Sequence, residues 1–467
     1  MKREDHEFLR LSGSRPRHFQ GSVNLPPSKS FLHRALFVSS LCATESKIVA
    51  AGFTLSEDVE ASINVLKSFG IVIRKQNTKS GTNLLVNPKI ISSSRREIFA
   101  GGSGTTARFA IAFAAIPSDG GHSIISGDSS LLKRPMQPLL DALDQVGASC
   151  YSKNSDGKLP VVVEANGIKG GTCKIDGSIS SQFISSLLIA CTHAQKDTQL
   201  EIQAPSEMVS IPYIEATRFV LRFYGFNVKS KKSRDTLSFY VKGNQTRIHG
   251  GKFQVPGDMS SAAALIGATI AARGRVRLNG VNPQMPQADS AFLNIARMVG
   301  ATVSQNGQSL VVSARGSTDG HARKKSLIFD LKNSPDIVPI LAGLAAALGR
   351  DVRIRNVGHL RFKESDRLSA LSKELVRVGM KIVENQDSLS ISSQRNAESK
   401  SKVKPTVLNS QNDHRILMGL TIAGISGRFK ELLISDPSCV SKSYPTFIDD
   451  LKTLMRGEDI LSIVKRH

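Results

Sequence analysis

The chain has 467 residues, of which 40% are hydrophobic and 22% are charged, and its formal net charge is +23. A chain of this length and apolar fraction is expected to form two or three folded domains. Its apolar runs are shorter than the roughly 18 residues that a membrane helix needs, and its amino terminus shows neither a signal nor a transit peptide. The five cysteines form no Cys-x-x-Cys pair, which is typical of reduced, packed thiols. We therefore expect a cytoplasmic protein without membrane spans.

The positive charge narrows the choice of partners. Much of it lies in three polar stretches, residues 229–234, 315–325 and 394–404, which we interpret as solvated loops. A large positive excess attracts polyanions or small anionic substrates. The chain has no tryptophan and five tyrosines, so it lacks the aromatic and basic interleaving that stacks on bases. Small anionic substrates are favoured, and a basic nucleic-acid-binding or RNA-end-processing protein is kept as an alternative.

A two-helix pattern recurs six times along the chain. In each unit, a first helix rich in small residues precedes a second, amphipathic helix, and a short β-branched run follows. The second helix ends at a glycine in five of the units, and these glycines recur about every 78 residues. They are Gly70, Gly147, Gly225, Gly300 and Gly379. The spacing predicts an α/β repeat protein of six units, arranged as two lobes of three.

The pattern also predicts the bounds of each element. The first helices are predicted at residues 31–41, 104–115, 181–191, 259–272, 337–348 and 414–425. The second helices are predicted at residues 56–69, 136–146, 213–224, 290–299, 366–378 and 445–455. Strands are predicted at residues 71–73, 226–228, 301–303 and 380–383. Small residues allow the first helices to pack closely around a shared axis, and each closing glycine suits a left-handed helix end.

Basic and hydroxyl residues occur where the first helices begin. Helix amino termini present unpaired N–H groups and a partial positive charge, so they bind anions. If several of these ends converge, they build a site for more than one phosphate or carboxylate. The candidate cations are Lys29, Arg34, Arg134, Arg367, Arg415 and Lys442.

Two acids complete this set of candidates. Asp336 stands at the entrance of a strongly apolar helix, and Glu364 stands at the start of another. Each acid alone is ordinarily a helix cap or one half of a surface ion pair. Two carboxylates directed at a cationic site can instead serve as base and acid.

A series of motifs now identifies a family. They are LPPSKS at 25–30, GTTAR at 104–108, KRPM at 133–136, DGSISSQF at 176–183, SIPY at 210–213, GDMSS at 257–261, PD at 335–336, KESDR at 363–367, NDHR at 412–415, and Lys442. In this order they resemble the 5-enolpyruvylshikimate-3-phosphate synthase family, the 3-phosphoshikimate 1-carboxyvinyltransferases. The match covers nearly the whole chain. The PPSKS and HR variants resemble archaeal members.

The resemblance implies a fold and a domain organisation. It implies two lobes, each of three βαβαββ units, with helices inside and sheets outside. The first lobe would be residues 28–254, and the second would combine residues 1–27 with 255–467. The active site would lie in the cleft between the lobes, and the protein would act as a monomer.

The resemblance also implies a reaction. The enolpyruvyl group of phosphoenolpyruvate would pass to the 5-hydroxyl of shikimate 3-phosphate, phosphate would leave, and no metal or organic cofactor would be required. Asp336 would accept the hydroxyl proton, and Glu364, with Lys29, would handle the proton at the methylene carbon. The phosphoenolpyruvate-binding residues would be Lys29, Gly104, Arg134, Gln182, Arg367, Arg415 and Lys442. The shikimate 3-phosphate-binding residues would be Lys29, Ser30, Arg34, Ser180, Ser181, Gln182, Ser210, Tyr213, Asp336 and Lys363.

Two further points follow from comparison within this group. The sister enzyme, UDP-N-acetylglucosamine enolpyruvyl transferase, is the alternative of the same fold, but it carries a cysteine in a loop near the position of residues 131–134. None of the five cysteines lies there. His359 occupies a place where some relatives use Asn to contact shikimate, so we assign no such contact to it.

Overall fold

The computed structural model describes residues 6–52, 54–78, 81–88, 96–233, 236–314, 326–393 and 405–466. Within these ranges the chain forms twelve α-helices and 24 β-strands. The helices are α1 Lys29–Ser39, α2 Glu57–Ser68, α3 Gly104–Ala114, α4 Gln137–Gln145, α5 Ser181–Ala190, α6 Ile211–Tyr224, α7 Met259–Ala271, α8 Phe292–Met298, α9 Val338–Leu348, α10 Arg367–Arg377, α11 His414–Ile425 and α12 Phe447–Leu454.

The strands alternate with the helices along the chain. They are β1 His6–Leu11, β2 Gln20–Asn24, β3 Ser46–Ala51, β4 Val72–Thr78, β5 Gly81–Asn87, β6 Arg96–Phe99, β7 His122–Ser126, β8 Ser149–Ser152, β9 Val161–Glu164, β10 Gly171–Asp176, β11 Thr198–Gln203, β12 Val228–Lys232, β13 Leu237–Val241, β14 Lys252–Gln254, β15 Arg275–Asn279, β16 Thr302–Asn306, β17 Ser309–Ser313, β18 Leu327–Asp330, β19 Val352–Arg355, β20 Met380–Glu384, β21 Leu389–Ser393, β22 Thr406–Leu408, β23 Leu432–Ser435 and β24 Leu461–Arg466.

The strands form six four-stranded sheets of the same topology. In the sheet β18-β19-β21-β20, for example, β18 and β19 are parallel, and the remaining pairs are antiparallel. Helices α9 and α10 connect these strands in the order β18-α9-β19-α10-β20-β21. Each sheet thus has the strand arrangement of a βαβαββ unit, and the predicted fold class is confirmed.

Three sheets take a strand from a distant part of the chain. β2 pairs with β15, and β14, more than 200 residues after α1 begins, pairs with β3. β1 lies between β23 and β24. The repeats therefore do not run strictly in chain order, which a fixed sequence period could not reveal.

The chain divides into two compact units. The central unit comprises Pro27–Pro256 and Gln284–Gln287, and the terminal unit comprises Met1–Pro26, Gly257–Pro283 and Ala288–His467. Each unit has its own hydrophobic core. Among the described residues, three sheets and six α-helices belong to each unit.

The first helices pack closely inside each unit. In the terminal unit, α7, α9 and α11 contact one another through Gly267, Gly343 and Gly419, and a Cβ at Gly343 would meet the backbone of α11. In the central unit, Phe37 of α1 packs edge-on against Phe109 and Phe113 of α3. The first helices of the terminal unit therefore pack closely through glycine, as expected. In the central unit, aromatic rings fill the space between α1 and α3 instead.

The closing glycines adopt the expected conformation. All five predicted glycines have φ between +77° and +99°. In the sixth unit the equivalent position after α12 is Arg456, with φ of +55°. A left-handed residue is therefore present at all six ends, although one of them is not glycine.

All twelve predicted helices agree with the structure to within two residues at each end, although one has a different start and one predicted loop is wrong. The helix predicted at residues 290–299 begins as a 3₁₀ turn, Ala288–Ala291, before α8. The stretch 229–234, predicted to be a loop, contributes the strand β12, whose lysines are exposed. The stretches 315–325 and 394–404 lie outside the described residues. Within the described ranges, no helix is both long and apolar enough to span a bilayer.

Candidate active site

Arg367 lies at the centre of the predicted site residues of the terminal unit. Its guanidinium is 1% exposed and donates to three carboxylates, those of Asp336, Glu364 and Asp413, each through a contact of 2.9 Å. The carboxylates come from the starts of α9, α10 and α11, because each lies within four residues of the first residue of its helix. The repeat packing therefore brings together three helix starts that are distant in sequence.

The charges in this cluster support one another. Burial lowers the pKa of Arg367, but the charges of Asp413, Glu364 and Asp336 outweigh burial and raise its pKa above the usual value. Burial raises the pKa of Asp336, and the opposing charges of Arg415, Arg367 and Lys363 hold it well below its usual range. Asp336 is thus a carboxylate at any physiological pH as long as the arginines are not neutralised by a ligand.

Arg415 lies on the other side of Asp336. It is 2% exposed, and its Nη2 is 3.7 Å from Asp336 Oδ2. Its Nε has no hydrogen-bond partner among the described residues. Burial tends to lower the pKa of Arg415, but three acids, Asp336 first among them, raise it. Arg415 is therefore charged and less fully engaged by protein acceptors than Arg367.

Two lysines lie close to this cluster. Lys442 Nζ donates to the carbonyl of Asn412 at 2.8 Å, immediately before the start of α11. Lys363 follows the 3₁₀ turn Gly358–Phe362, and its charge acts on both Asp336 and His359. Burial, followed by the charge of Lys363, lowers the pKa of His359 to about 3. His359 is therefore a neutral imidazole at neutral pH.

In the central unit, Gly104 lies against a second group of predicted site residues. A Cβ at Gly104 would lie 2.9 Å from Arg134 Nη1 and 3.5 Å from Gln182 Oε1. Gln182 is held from both ends, because Arg108 donates to its Oε1 and its own Nε2 donates to Thr105 Oγ1 at 2.9 Å. The start of α3 thus presents a glycine, two buried arginines and an oriented amide at one place.

Arg34 forms the centre of a third group. Its Nε donates to Thr217 Oγ1 at 2.7 Å, its Nη1 donates to the Ser30 carbonyl at 2.7 Å, and its Nη2 donates to the Tyr213 carbonyl at 2.9 Å. Burial lowers the pKa of Arg34 to about 10, so it stays charged at neutral pH. Two of these hydrogen bonds join α1 to α6. Its predicted contact with shikimate 3-phosphate stays a prediction.

The remaining predicted residues of the central unit lie at helix starts. Lys29 begins α1 and forms an ion pair of 2.7 Å with Asp58. Ser180 caps α5 and accepts from the Gln182 amide, and Ser181 follows it in the first turn. Ser210, which precedes α6, has the left-handed φ of +58°. Their substrate contacts also stay predictions.

Sequence reasoning gave no role to four residues that shape these groups. Arg108 and Asp413 stand inside recognised motifs, so their position could have suggested a supporting role. Asp58 lies in the first turn of α2, where an acid is expected for the helix alone. Asp289 lies in the 3₁₀ turn before α8, and nothing in the local sequence marks it.

The two units carry different chemistry. The central unit has buried or partly buried cations at its helix starts, with hydroxyl and amide groups beside them, which suits binding of phosphate and carboxylate. The terminal unit pairs buried arginines with carboxylates, which suits proton transfer next to a bound anion.

Comparison with known proteins identifies the family. The family model of EPSP synthase (3-phosphoshikimate 1-carboxyvinyltransferase) matches residues 14–451. The chain belongs to the EPSP synthase family. The resemblance seen in the motifs is confirmed over nearly the whole length.

Its similarity to other EPSP synthases extends to individual relatives. The 3-phosphoshikimate 1-carboxyvinyltransferase of Korarchaeum cryptofilum is 37% identical over 438 residues, which cover 93% of this chain and 96% of that protein. The protein of the same name from Nitrosopumilus maritimus is 36% identical over 436 residues, with the same coverage. The resemblance to archaeal members is thereby confirmed.

The fold also matches a solved EPSP synthase structure. The enzyme from Acinetobacter baumannii aligns with a TM-score of 0.72 at 23% sequence identity, and the alignment covers 98% of this chain and 100% of that one. At this identity the likeness concerns the fold alone.

Proposed function

We propose that this EPSP synthase family member transfers the enolpyruvyl group of phosphoenolpyruvate to the 5-hydroxyl of shikimate 3-phosphate and releases phosphate. The observation that carries the proposal is the cluster of Asp336, Glu364, Arg367 and Arg415 at three helix starts. It combines two carboxylates with two buried cations, which this reaction requires.

The reaction proceeds by addition and elimination. The 5-hydroxyl oxygen bonds to C2 of phosphoenolpyruvate as it loses its proton, and the methylene carbon gains a proton to become a methyl group. In the resulting tetrahedral intermediate, C2 carries both the former 5-hydroxyl oxygen of shikimate 3-phosphate and the phosphate. The methyl group then loses a proton, the C2–O bond to phosphate breaks, and the enol ether forms.

Asp336 is the base for the 5-hydroxyl. Burial raises its pKa, but the charges of Arg415, Arg367 and Lys363 outweigh burial and hold the pKa low. A carboxylate in that state is a weak base. When the phosphate and carboxylate of phosphoenolpyruvate neutralise the arginines, the pKa of Asp336 rises, so it becomes basic only when the anionic substrate is present.

Glu364 supplies and removes the proton at the methylene carbon. Its Oε2 accepts from Arg367 Nη2 at 2.9 Å, which fixes the carboxylate beside a predicted phosphoenolpyruvate ligand. Lys29 of the central unit shares this role in the proposal. The same group serves in both half-reactions, because the methylene carbon gains a proton in the first step and the resulting methyl group loses one in the second.

The following residues are proposed to bind the two anionic substrates. Lys29, Arg134, Arg367, Arg415 and Lys442 hold phosphoenolpyruvate, with Gly104 and Gln182 at the start of α3 and α5. Shikimate 3-phosphate binds to Ser30, Arg34, Ser180, Ser181, Ser210, Tyr213 and Lys363, and also contacts Lys29, Gln182 and Asp336. These assignments are supported by the grouping of most of these residues at helix starts, where anions are favoured.

The compact units support the lobe assignment of the proposal. The first lobe, residues 28–254, corresponds to the central unit, and the second lobe corresponds to the terminal unit. Because the proposed ligands of phosphoenolpyruvate come from both, turnover requires both lobes to act on the same substrates.

The chain is proposed to act as a cytoplasmic monomer. The free state of all five cysteines supports a reducing compartment. Size-exclusion chromatography with light scattering tests the oligomeric state, because a monomer would elute with the chain mass of 50.4 kDa.

Phosphate release from phosphoenolpyruvate tests the function directly. The purified protein is assayed alone, with shikimate 3-phosphate, and with UDP-N-acetylglucosamine. Release that depends on shikimate 3-phosphate is expected. Release only with the UDP-sugar would show that the UDP-sugar is the acceptor and would refute the proposal. Release with neither would refute it as well and direct attention to nucleic acid, for which salt-sensitive retention on heparin is the readout.

A further inference from the structure

Asp289 is a buried acid to which the proposed mechanism gives no role. It lies in the 3₁₀ turn Ala288–Ala291 of the terminal unit, and its side chain is 2% exposed. Ser260 Oγ, in the first turn of α7, donates to Asp289 Oδ2. Asp289 Oδ1 is buried and has no hydrogen-bond partner among the described residues. Burying such an oxygen without a hydrogen bond costs more free energy when the group is an ionised carboxylate than when it is a neutral acid.

The turn that carries Asp289 is attached to the turn that carries Asp336. Ser334 Oγ donates to the carbonyl of Ala288 at 2.8 Å. Ser334 immediately precedes the 3₁₀ turn Pro335–Ile337, which contains Asp336. The position of Asp289 is therefore fixed between the start of α7 and the base of the proposed reaction.

The charged groups that act on Asp289 come from each element around it. They are Asp258 at the cap of α7, Asp336 before α9, and Arg415 of α11. Burial and the charge of Asp336 raise the pKa of Asp289 to about 7, although the hydrogen bond from Ser260 and the charge of Arg415 oppose this rise. Ionising both carboxylates next to one cation costs free energy, because the two negative charges repel each other. Asp336, which is held by two arginines, keeps the negative charge.

We propose that Asp289 is a positioning residue that carries a proton beside Asp336 and Arg415, and thereby leaves the charge of Arg415 available to a substrate anion. The inference rests on the proposed role of Arg415 in binding phosphoenolpyruvate. Ionised Asp289 would place a second negative charge near that guanidinium and weaken its hold on the anion. Protonated Asp289 leaves Arg415 with Asp336 as its nearest carboxylate contact, at 3.7 Å.

The first experiment tests the proton without any substrate. Asp289→Asn imitates the neutral acid, since its amide oxygen can still accept from Ser260. A group with a raised pKa in the folded state contributes stability below its unfolded pKa and loses it as the pH rises through the folded pKa. We therefore expect the melting temperature of the wild type to fall by roughly 3–5 °C relative to Asp289→Asn between pH 5 and pH 8. Parallel melting curves would overturn the inference. Asp459→Asn, at a side chain that is 83% exposed, is the control and should follow the wild type.

The second experiment tests the effect on the substrate. Between pH 6.5 and pH 9, the KM of the wild type for phosphoenolpyruvate should rise by about tenfold more than that of Asp289→Asn, while kcat of the two proteins stays similar. Ionisation of the substrates affects both proteins equally, so the difference isolates Asp289. Asp289→Ala removes the hydrogen bond to Ser260 and should raise KM at every pH.

Each outcome is decisive. Identical KM profiles for wild type and Asp289→Asn would overturn the positioning role even if the melting curves diverge. Absence of turnover in the wild type at every pH would refute the proposed function, and the substrate part of this inference with it. The melting comparison would still decide whether Asp289 carries the proton.

Discussion

At the scale of single residues, the role proposed for Asp336 makes two opposing demands. Asp336 needs a charge to accept a proton, and the cations that keep it charged also make it a weak base. In the proposed mechanism, binding of an anion to Arg367 and Arg415 resolves the conflict, because it offsets the positive charges that lower the pKa of Asp336. The substrate would then weaken the ion pairs of 2.9 Å and 3.7 Å that these arginines form with Asp336.

Replacing Asp336 by Asn should separate binding from turnover. The amide keeps the shape but cannot accept the hydroxyl proton, so we expect kcat to fall by about 10²–10⁴-fold. The dissociation constant for shikimate 3-phosphate, measured by calorimetry, should change by less than about tenfold, since the other proposed ligands remain. Asp459→Asn should retain full turnover, because that side chain is exposed. Near-normal turnover of Asp336→Asn would assign the base to another group.

His359 makes a separate prediction about pH and stability. It is 7% exposed, its Nε2 has no hydrogen-bond partner among the described residues, and burial, with the charge of Lys363 second, lowers its pKa to about 3. In the unfolded chain the imidazole gains its proton near pH 6.5, whereas the folded protein resists it. Stability from this group is therefore present above pH 6.5 and is lost as the pH falls toward the folded pKa.

His359→Asn should remove that loss. Between pH 7.5 and pH 5, the wild type should lose about 2 kcal/mol of unfolding free energy that the variant keeps. Urea unfolding at the two pH values, followed by circular dichroism, measures the difference. His249→Asn, at an exposed position, serves as the control and should lose as much as the wild type. Equal losses in wild type and His359→Asn would show that His359 is protonated in the folded state.

At the scale of elements, the start of α3 depends on the absence of a side chain. A methyl group at Gly104 would lie 2.9 Å from Arg134 Nη1 and 3.4 Å from Arg108 Nη1. Gly104→Ala should therefore displace Arg134 and raise KM for phosphoenolpyruvate by about tenfold, with kcat less affected. Steady-state kinetics provides the measurement. Gly251→Ala, whose Cβ would meet only ordinary contacts at 3.7 Å and 3.9 Å, should leave KM unchanged.

The helix ends give a reciprocal pair of predictions. Gly225 ends α6 with φ of +94° and has open space where a Cβ would lie, so Gly225→Ala should cost about 1–2 kcal/mol through backbone strain alone. Arg456 occupies the corresponding place after α12 with φ of +55°. Arg456→Gly should relieve strain and stabilise by about 0.5–1 kcal/mol, after the entropy that glycine adds to the unfolded chain. Urea unfolding tests both, and effects of the same sign would contradict a common cause.

The elements show where sequence reasoning succeeds. The spacing of the five glycines and the small-residue helices predicted all twelve α-helices of the described residues, because a left-handed helix end and a closely packed axis produce recognisable patterns in the local sequence. The pairing of strands that are distant in sequence leaves no such pattern. β2 and β14 are short, and nothing in their residues indicates that they pair with β15 and β3. Contacts across more than 200 residues depend on the assembled unit.

At the scale of the whole molecule, the candidate site is predictable only where motifs carry it. The sequence grouped Asp336, Glu364, Arg367 and Arg415 through their positions at helix starts, and the structure places them in one network. It could not find Asp289, because that residue reaches the network through a turn and a buried hydrogen bond from Ser260. Buried supporting residues are defined by packing between repeats, which no single repeat encodes.

The net charge of +23 should act on substrate capture from a distance. The exposed lysines of β12, Lys229, Lys231 and Lys232, add to this field without belonging to any predicted site. Exposed charges are screened beyond about 10 Å at 0.1 M salt, so their influence should vanish at high salt. Raising the salt from 50 mM to 500 mM should lower kcat/KM for phosphoenolpyruvate several-fold and leave kcat nearly constant.

Graded charge changes on β12 test whether this effect is long-range. Replacing the three lysines by Gln lowers the net charge by three, and replacing them by Glu lowers it by six, from +23 to +17. At 50 mM salt, we expect kcat/KM to fall by up to about twofold in the Glu variant. The Gln variant should show a fall about half as large, and both variants should match the wild type at 500 mM salt. A loss that persists at high salt, or that is equal for Gln and Glu, would show that these side chains act by contact. If neither replacement changes kcat/KM at low salt, substrate capture depends on the cations at the helix starts, and the lysines of β12 do not contribute to it.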